Sequence, residues 1–278
     1  MNRVRVLRWV QRYPVSSVGI VLALAIVTAS LLAPLLAPYN PAKQDLLIGL
    51  ASPSSEHLLG TDHLGRDVFS RLLWAGRFSV TAAAIVLLLS LVVGAVIGLL
   101  AGYLGGLMDE VFMRLTDVFL SLPTFVLALA VIGALGPGLE NLILALTVAW
   151  WPTYARLVRS KVLAVKTTDY VQASEALGAG NLHIMRRHLL PALAGPVVML
   201  LSLDVGHVML SIAGLGFLGL GIQPPNPEWG TMLVDARPFM QLAPHLVLPP
   251  GLAILIAVFG FNSFGEALDH WLNPKSRS

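Results

Sequence analysis

Residues 78–108 read FSVTAAAIVLLLSLVVGAVIGLLAGYLGGLM, from Phe78 to Met108, without a single Asp, Glu, Lys or Arg. A helix needs about 20 apolar residues to cross roughly 30 Å of hydrocarbon, so this run can span a bilayer. Its glycines Gly94, Gly98, Gly102 and Gly106 recur every four residues. That spacing puts them on one helix face and predicts tight packing against a second backbone. Further uncharged stretches lie at 14–42, 118–139, 189–227 (interrupted by Asp204) and 238–265. A further stretch, 141–155, completes a span if the helix runs on past Arg156 and Arg159 with their charged heads reaching the interface. The expectation is an all-α, polytopic membrane protein with six transmembrane helices.

Composition agrees. Of 278 residues 56% are hydrophobic and 12% charged, against about a quarter charged in soluble domains, so a soluble globular protein is excluded. The absence of Cys removes disulfide scaffolds and thiolate metal sites. The net charge of +3 is explained by topology rather than by nucleic acid. With the amino end inside, Arg3, Arg5, Arg8, Arg12, Arg114, Arg156, Arg159, Lys161, Lys166, Arg186, Arg187, Lys275 and Arg277 lie inside, and Lys43, Arg66, Arg71, Arg77 and Arg237 outside. That bias sets a cytoplasmic amino terminus. The first run is about twice the length of a signal-peptide core and lacks a convincing A-x-A site, so it reads as an anchor. Residues 1–75 are expected to form this anchor and an extracytoplasmic loop, and 76–270 a five-helix unit with a polar inner loop at 166–191.

Within the inner loop, Tyr170-Val171-Gln172-Ala173-Ser174-Glu175-Ala176-Leu177 reads as a short helix with small residues Ala173, Ser174 and Ala176 around one side. Gly178, Ala179 and Gly180 predict a sharp turn, 182–188 a second short helix, and Leu190-Pro191 the opening of the next span. A helix offered to a cytoplasmic partner and a plain solvated loop both fit this pattern. Gly214, Gly216, Gly219 and Gly221, beside Pro224 and Pro225, predict a broken or re-entrant helix end. In the middle of that span Asp204 and His207 stand at i and i+3 on one face. Ionisable residues inside a span are functional candidates, and a carboxylate with an imidazole suits a borderline divalent cation such as nickel. A structural Asp–His hydrogen bond facing a neighbouring helix fits the same spacing.

The inner loop resembles a known motif. Gln172-Ala173-Ser174, Gly178 and Leu190-Pro191 follow the spacing of the EAA loop of permease subunits in binding-protein-dependent ABC importers, with Gln172 in place of the usual Glu, Ser174 of Ala and His188 of Ile. The run Leu59-Gly60-Thr61-Asp62-His63-Leu64-Gly65-Arg66-Asp67-Val68-Phe69-Ser70-Arg71 looks like the signature before the second span in the peptide and nickel branch. Gly214-Leu215-Gly216-Phe217-Leu218-Gly219-Leu220-Gly221, then Pro224, Pro225, Glu228, Trp229 and Gly230, is similar to that branch's fifth-span exit. The resemblance implies the type I ABC importer permease fold in the inner membrane. It implies a coupling loop, Gln172, Ala173, Ser174, Glu175, Ala176 and Gly178 with Leu190 and Pro191, that docks in an ATPase subunit. It also implies a second homologous permease subunit, two ATPases, an extracytoplasmic solute-binding protein and alternating access.

Leu203-Asp204-Val205-Gly206-His207-Val208-Met209-Leu210 resembles the branch's nickel permeases, and Glu228 to Met232 with Asp235, Ala236 and Arg237 leans the same way. Asp204 and His207 then become translocation-path and transient metal-ligand candidates, with His63 on the outer loop a lesser one. None of Lys43, Lys161, Lys166 and Lys275 follows a Gly, so the chain has no phosphate cradle of its own. The expected function is nickel or nickel-chelate transport, with no cofactor and no catalysis by this chain. Three other readings stand beside it: a di- or oligopeptide permease of the same architecture; an intramembrane hydrolase using Asp204 or Ser211 with His207, against which the lack of H-E-x-x-H and G-x-S-x-G speaks; and a structural scaffold.

Overall fold

The computed structural model describes residues 13–272; the arginines at 3, 5, 8 and 12, with Lys275 and Arg277, lie outside the described residues. The elements are α1 (Pro14–Leu31), α2 (Val68–Leu104), α3 (Gly106–Leu120), α4 (Thr124–Leu135), α5 (Leu139–Lys166), α6 (Asp169–Ala176), α7 (Leu190–Phe217), α8 (Trp229–Ala236) and α9 (Leu248–Leu272). Among the described residues the only extended pairing is one bridge, Thr61 with Asp67.

The 37 residues of α2 extend about 55 Å at 1.5 Å per residue, well beyond the hydrocarbon. Asp67 starts the helix by accepting Ser70 N–H at 2.7 Å, the usual reason an Asp precedes a first turn. The glycine seam faces α5. A Cβ on Gly94 would lie 2.6 Å from the Trp151 carbonyl oxygen, one on Gly98 2.5 Å from that of Ala155, and one on Gly102 2.9 Å from Val162 Cγ1. Gly106 is the exception. It begins α3 at φ +56 with open space around it, because α2 has already ended at Gly105.

The stretch expected as a third span, 118–139, is not one helix. It breaks at Ser121-Leu122-Pro123, and α3 and α4 meet at 89°. The proline accounts for the break, since it disfavours helix at the residue before it and offers no N–H. Alone, the 12 residues of α4 reach only about 18 Å. The short fourth stretch, by contrast, does run on: α5 continues through Pro152 to Lys166. Its arginines pair with α3 rather than only reaching outward, Arg156 with Asp117 at 2.6 Å and Arg159 with both oxygens of Asp109 at 2.5 and 2.6 Å.

By length and apolar composition, four helical stretches among the described residues suffice to cross a membrane: Pro14–Leu31, Val68–Leu104, Asn181–Phe217 and Pro244–Leu268. The bent pair α3–α4 makes a fifth if it counts as one broken span. The expected count of six would need α5 as well, whose lower half carries the two arginines.

Helix α7 is continuous across Asp204 and ends where the glycines predict. Leu218 N–H and Leu220 N–H bond back to Gly214 and Leu215 carbonyls, and Gly219 sits at φ +79. The chain then folds back toward the bundle before α8. Helices α2, α5, α7 and α9 enclose the main core, including Val86, Leu146, Tyr154 and Ile212, all fully buried. Helix α1 lies along α9, where Gly260 meets the backbone of Ala23. The boundary expected at 75/76 falls inside α2.

Candidate functional site: the inner loop and the mid-span polar layer

The 166–191 loop is packed on one side and bare on the other. Val171, the buried residue of α6, packs with Val158 and Val162 of α5, Tyr103 of α2, and Ile184, Leu189 and Leu193 at the entry to α7. Lys166 Nζ donates to the Tyr103 carbonyl at 2.8 Å, and Tyr103 OH to Asn181 Oδ1 at 3.0 Å. The opposite side of α6 is left open: Gln172, Ala173, Glu175, Ala176 and Gly178 are exposed, and Leu177 is 89% exposed. Gly178 makes the turn at φ +85, the left-handed region where a Cβ is penalised.

The second short helix expected at 182–188 is a turn, Asn181–Ile184, that runs through a π-helical stretch, Met185–Leu189, into α7. Leu190 and Pro191 open α7 with both side chains exposed. Two of the three residues that depart from the usual EAA loop meet each other. Ser174 Oγ and His188 Nε2 are 3.3 Å apart, so a polar pair stands where the usual residues are Ala and Ile.

Midway along α7, Asp204 Oδ2 accepts the Tyr154 hydroxyl at 2.8 Å. His207 Nδ1 is 3.8 Å from the other oxygen, Oδ1, which is too far for a hydrogen bond, and its side chain is 62% exposed. The Asp–His hydrogen bond that the spacing allowed is therefore not made; the carboxylate's partner is a tyrosine of α5. Ser211 Oγ donates to the His207 carbonyl, a local helix bond that leaves no nucleophile aimed at the imidazole. On the neighbouring face of α7, Asn262 of α9 sits against Gly206 with its Oδ1 buried and unbonded. Among the described residues no group of three or more His, Asp or Glu is placed to hold a metal ion.

The outer motif residues build a lock. Asp62 accepts from Leu64 N–H, Arg66 N–H and Arg66 Nε, the last at 2.6 Å. Arg66 and Arg71, 4% and 3% exposed, both reach Asp235 of α8, at 3.3 and 3.6 Å. Such buried charges persist only when paired on several sides. Trp229 Nε1 donates to the Leu72 carbonyl at 3.0 Å, and a Cβ on Gly230 would run into the Ala213 carbonyl. Glu228, fully buried, caps α8 by accepting Gly230 and Thr231 N–H at 2.8 and 2.9 Å. Burial pushes its carboxyl up to about 7, and the two N–H bonds pull it back only in part. His63 stacks on Phe239 at 5.4 Å between ring centres. Asp235, Glu228 and Trp229 are thus occupied in joining α8 to α2 and α7, and His63 in aromatic packing.

The structure therefore separates three groups that share one chain: the exposed face of α6, the Tyr154–Asp204–His207 layer, and the outer lock. Reading the sequence did not single out Tyr154, Asn262, or the Asp109 and Asp117 partners of α5. Tyr154 lies 50 residues from Asp204, and only three-dimensional packing brings them together.

A family profile described as the binding-protein-dependent transport system inner membrane component matches residues 94–278. The chain is 44% identical to the nickel transport system permease protein NikC of Escherichia coli K12, over 85% of this chain and 86% of that protein. It is 40% identical to the dipeptide transport system permease protein DppC of Haemophilus influenzae, over 93% and 90%. Against the glutathione transport system permease protein GsiD of Pectobacterium atrosepticum it is 40% identical, over 81% and 75%. Among solved structures, the inward-facing MetNI methionine ABC transporter superposes with a TM-score of 0.56 at 19% identity, over 70% of this chain and 93% of that one. An amino acid ABC transporter with histidines gives 0.51 at 15%, over 69% and 88%.

These likenesses show the type I ABC importer permease fold, and permeases of this kind work with ATPase and solute-binding partners. The chain belongs to the family of binding-protein-dependent transport system inner membrane components: it is a permease subunit of an ABC importer, a transport component and not an enzyme.

Proposed function

We propose that this permease carries nickel, as the ion or a small chelate, across the cytoplasmic membrane. The observation that carries the reading is His207: an imidazole 62% exposed midway along a membrane-length helix, 3.8 Å from Asp204 Oδ1. Leaving such a group in a span is costly without a use. An imidazole and one carboxylate oxygen bind a borderline cation weakly, which suits a path that must release as well as accept its ion. The similarity to NikC supports this solute.

The rest of the machine follows from the same reading. The loop formed by α6 and its turn, Gln172, Ala173, Glu175, Ala176 and Gly178 exposed and Ser174 half-buried behind them, docks in an ATPase subunit on the cytoplasmic side, with Leu190 and Pro191 opening the helix that answers it. The amino terminus is cytoplasmic. A second homologous permease subunit completes the path through the 76–270 unit, while 1–75 supplies an anchor and an outer lobe facing the solute-binding protein.

In cells short of metal, His207→Asn in the complete transporter lowers nickel uptake about tenfold, the scale of one lost ligand, with assembly and ATP hydrolysis kept. Unchanged nickel uptake contradicts the nickel path. The peptide reading is favoured by one observation, that Asp204 is already held by Tyr154, and by the DppC likeness. It predicts dipeptide uptake by the wild type and no nickel uptake.

A further inference from the structure

Helix α5 carries one buried stripe, Tyr154, Val158 and Val162, with the spacing i, i+4, i+8. The lower two residues of the stripe hold the inner loop, through Val171, Ile184, Leu189 and Leu193. The top residue, Tyr154, is fully buried and holds the middle of α7, through its hydroxyl on Asp204 Oδ2 at 2.8 Å. The back of the stripe is fixed to α2: a Cβ on Gly94 would lie 2.6 Å from Tyr154 Cβ, and one on Gly98 2.9 Å from Val158 Cβ. A force applied to α6 therefore enters α5 and α2 as one packed unit. It reaches α7 at its entry, through Leu189 and Leu193, and again about 16 Å higher at Asp204, counting 1.5 Å per residue.

Between those two points α7 contains Gly195 and Pro196, the latter removing a helix bond, so the helix is weakest where a rigid transfer would be needed. The upper attachment is a single directional polar bond within an otherwise apolar interface.

We propose that Tyr154 is a positioning residue that latches α7 to the α2–α5 unit, so that movement of the inner loop displaces the His207 face of α7 instead of bending α7 at Pro196. This rests on the proposed coupling role of α6 and makes Asp204 first a mechanical partner, with Oδ1 alone turned toward the solute path. No other polar bond between α5 and α7 would do the same at that height: Thr147 Oγ1 is buried and unbonded, and Trp151 meets Phe119 of α3 edge to face at 5.3 Å.

The test uses the complete transporter reconstituted in lipid vesicles with its binding protein, ATP hydrolysis and nickel uptake being read in the same sample. Tyr154→Phe keeps the ring and its packing and removes only the hydroxyl. With assembly confirmed by co-purification, it should hydrolyse ATP while uptake per ATP falls about tenfold, the worth of a hydrogen bond to a carboxylate, and hydrolysis should no longer rise when loaded binding protein is added.

Asp204→Asn keeps an acceptor for Tyr154 and should retain the rise in hydrolysis even as nickel uptake drops. Asp204→Leu removes the acceptor and should behave as Tyr154→Phe does. A Tyr154→Phe transporter with wild-type uptake per ATP and a normal response to binding protein overturns the latch. An identical loss of response in Asp204→Asn and Asp204→Leu overturns it too, because the acceptor then does not matter. Failure of the nickel reading shows elsewhere, as unchanged nickel uptake in His207→Asn, and leaves the hydrolysis comparison intact.

Discussion

Glu228 shows how burial and hydrogen bonding compete on one side chain. It caps α8 with both oxygens, a task that suits a carboxylate, yet it is enclosed completely against Gly216 of α7. Burial prevails and holds the group near 7, above its ordinary 4.5. The folded protein thus binds this proton more tightly than the unfolded chain. The resulting stabilisation is complete below about pH 4.5 and is lost as pH rises toward 7. A displacement of that size is worth about 3 kcal/mol. The apparent unfolding temperature of the purified permease should therefore fall between pH 4.5 and 7, and Glu228→Gln, which stays neutral, should flatten that slope; an equal slope in both proteins would place the titration elsewhere. The Glu228-Trp229-Gly230 run was visible as a motif, but its use as a buried cap and helix contact depends on residues far away in sequence. The same holds for Asp204, whose neighbour at i+3 was visible and whose actual partner, Tyr154, was not. Local spacing reveals which groups share a face and says nothing about what lies opposite.

The elements follow from glycine and proline placement. The seam of Gly94, Gly98 and Gly102 lets α2 and α5 touch backbone to backbone, and spacing alone announced it. Gly98→Leu would drive four carbons into the Ala155 carbonyl and Val158, and overpacking of this kind costs about 1–3 kcal/mol or more. Gly133 of α4 has open space around it, so Gly133→Ala should be neutral or stabilising by up to about 1 kcal/mol from helix propensity. Comparing the yield and thermal midpoint of the two variants checks the seam: equal behaviour would mean that close approach is not what Gly98 serves. The third expected span is broken at Pro123 and remains a span only as the bent pair α3–α4. Hydropathy adds residues without asking whether the backbone continues, and one proline turned the chain through 89°. Helix α5 does run on past its two arginines, because they find Asp109 and Asp117 on α3, yet those charges keep it outside the set of helices apolar enough to cross a membrane.

For the whole molecule, three sets of contacts stand at successive heights along the bundle. At one end the loop before α2 is fixed to α8 by Asp62, Arg66, Arg71 and Asp235, the middle carries the Tyr154–Asp204–His207 layer, and the other end presents α6 on an apolar bed. Much of this order was readable in advance. The apolar runs gave the membrane class, the EAA-like spacing marked the inner loop, and the Gly cluster marked the end of α7. What could not be read was how the layers are tied together, since each tie joins residues of different helices. We propose that α6 is the point where an ATPase subunit delivers its work. The chain has no native Cys, so one introduced thiol reports on its own surroundings. In the complete transporter, Leu177→Cys at the exposed end of α6 and Leu47→Cys on the outer lobe, the parent residues being 89% and 96% exposed, are each treated with a short bifunctional reagent. Leu177→Cys should be captured by the ATPase subunit, with a yield that changes on adding ATP, while Leu47→Cys should never be captured by it and should be labelled by an impermeant thiol reagent from outside the cell. Capture of the ATPase from position 47, or its absence at position 177 in an assembled and active transporter, would contradict it.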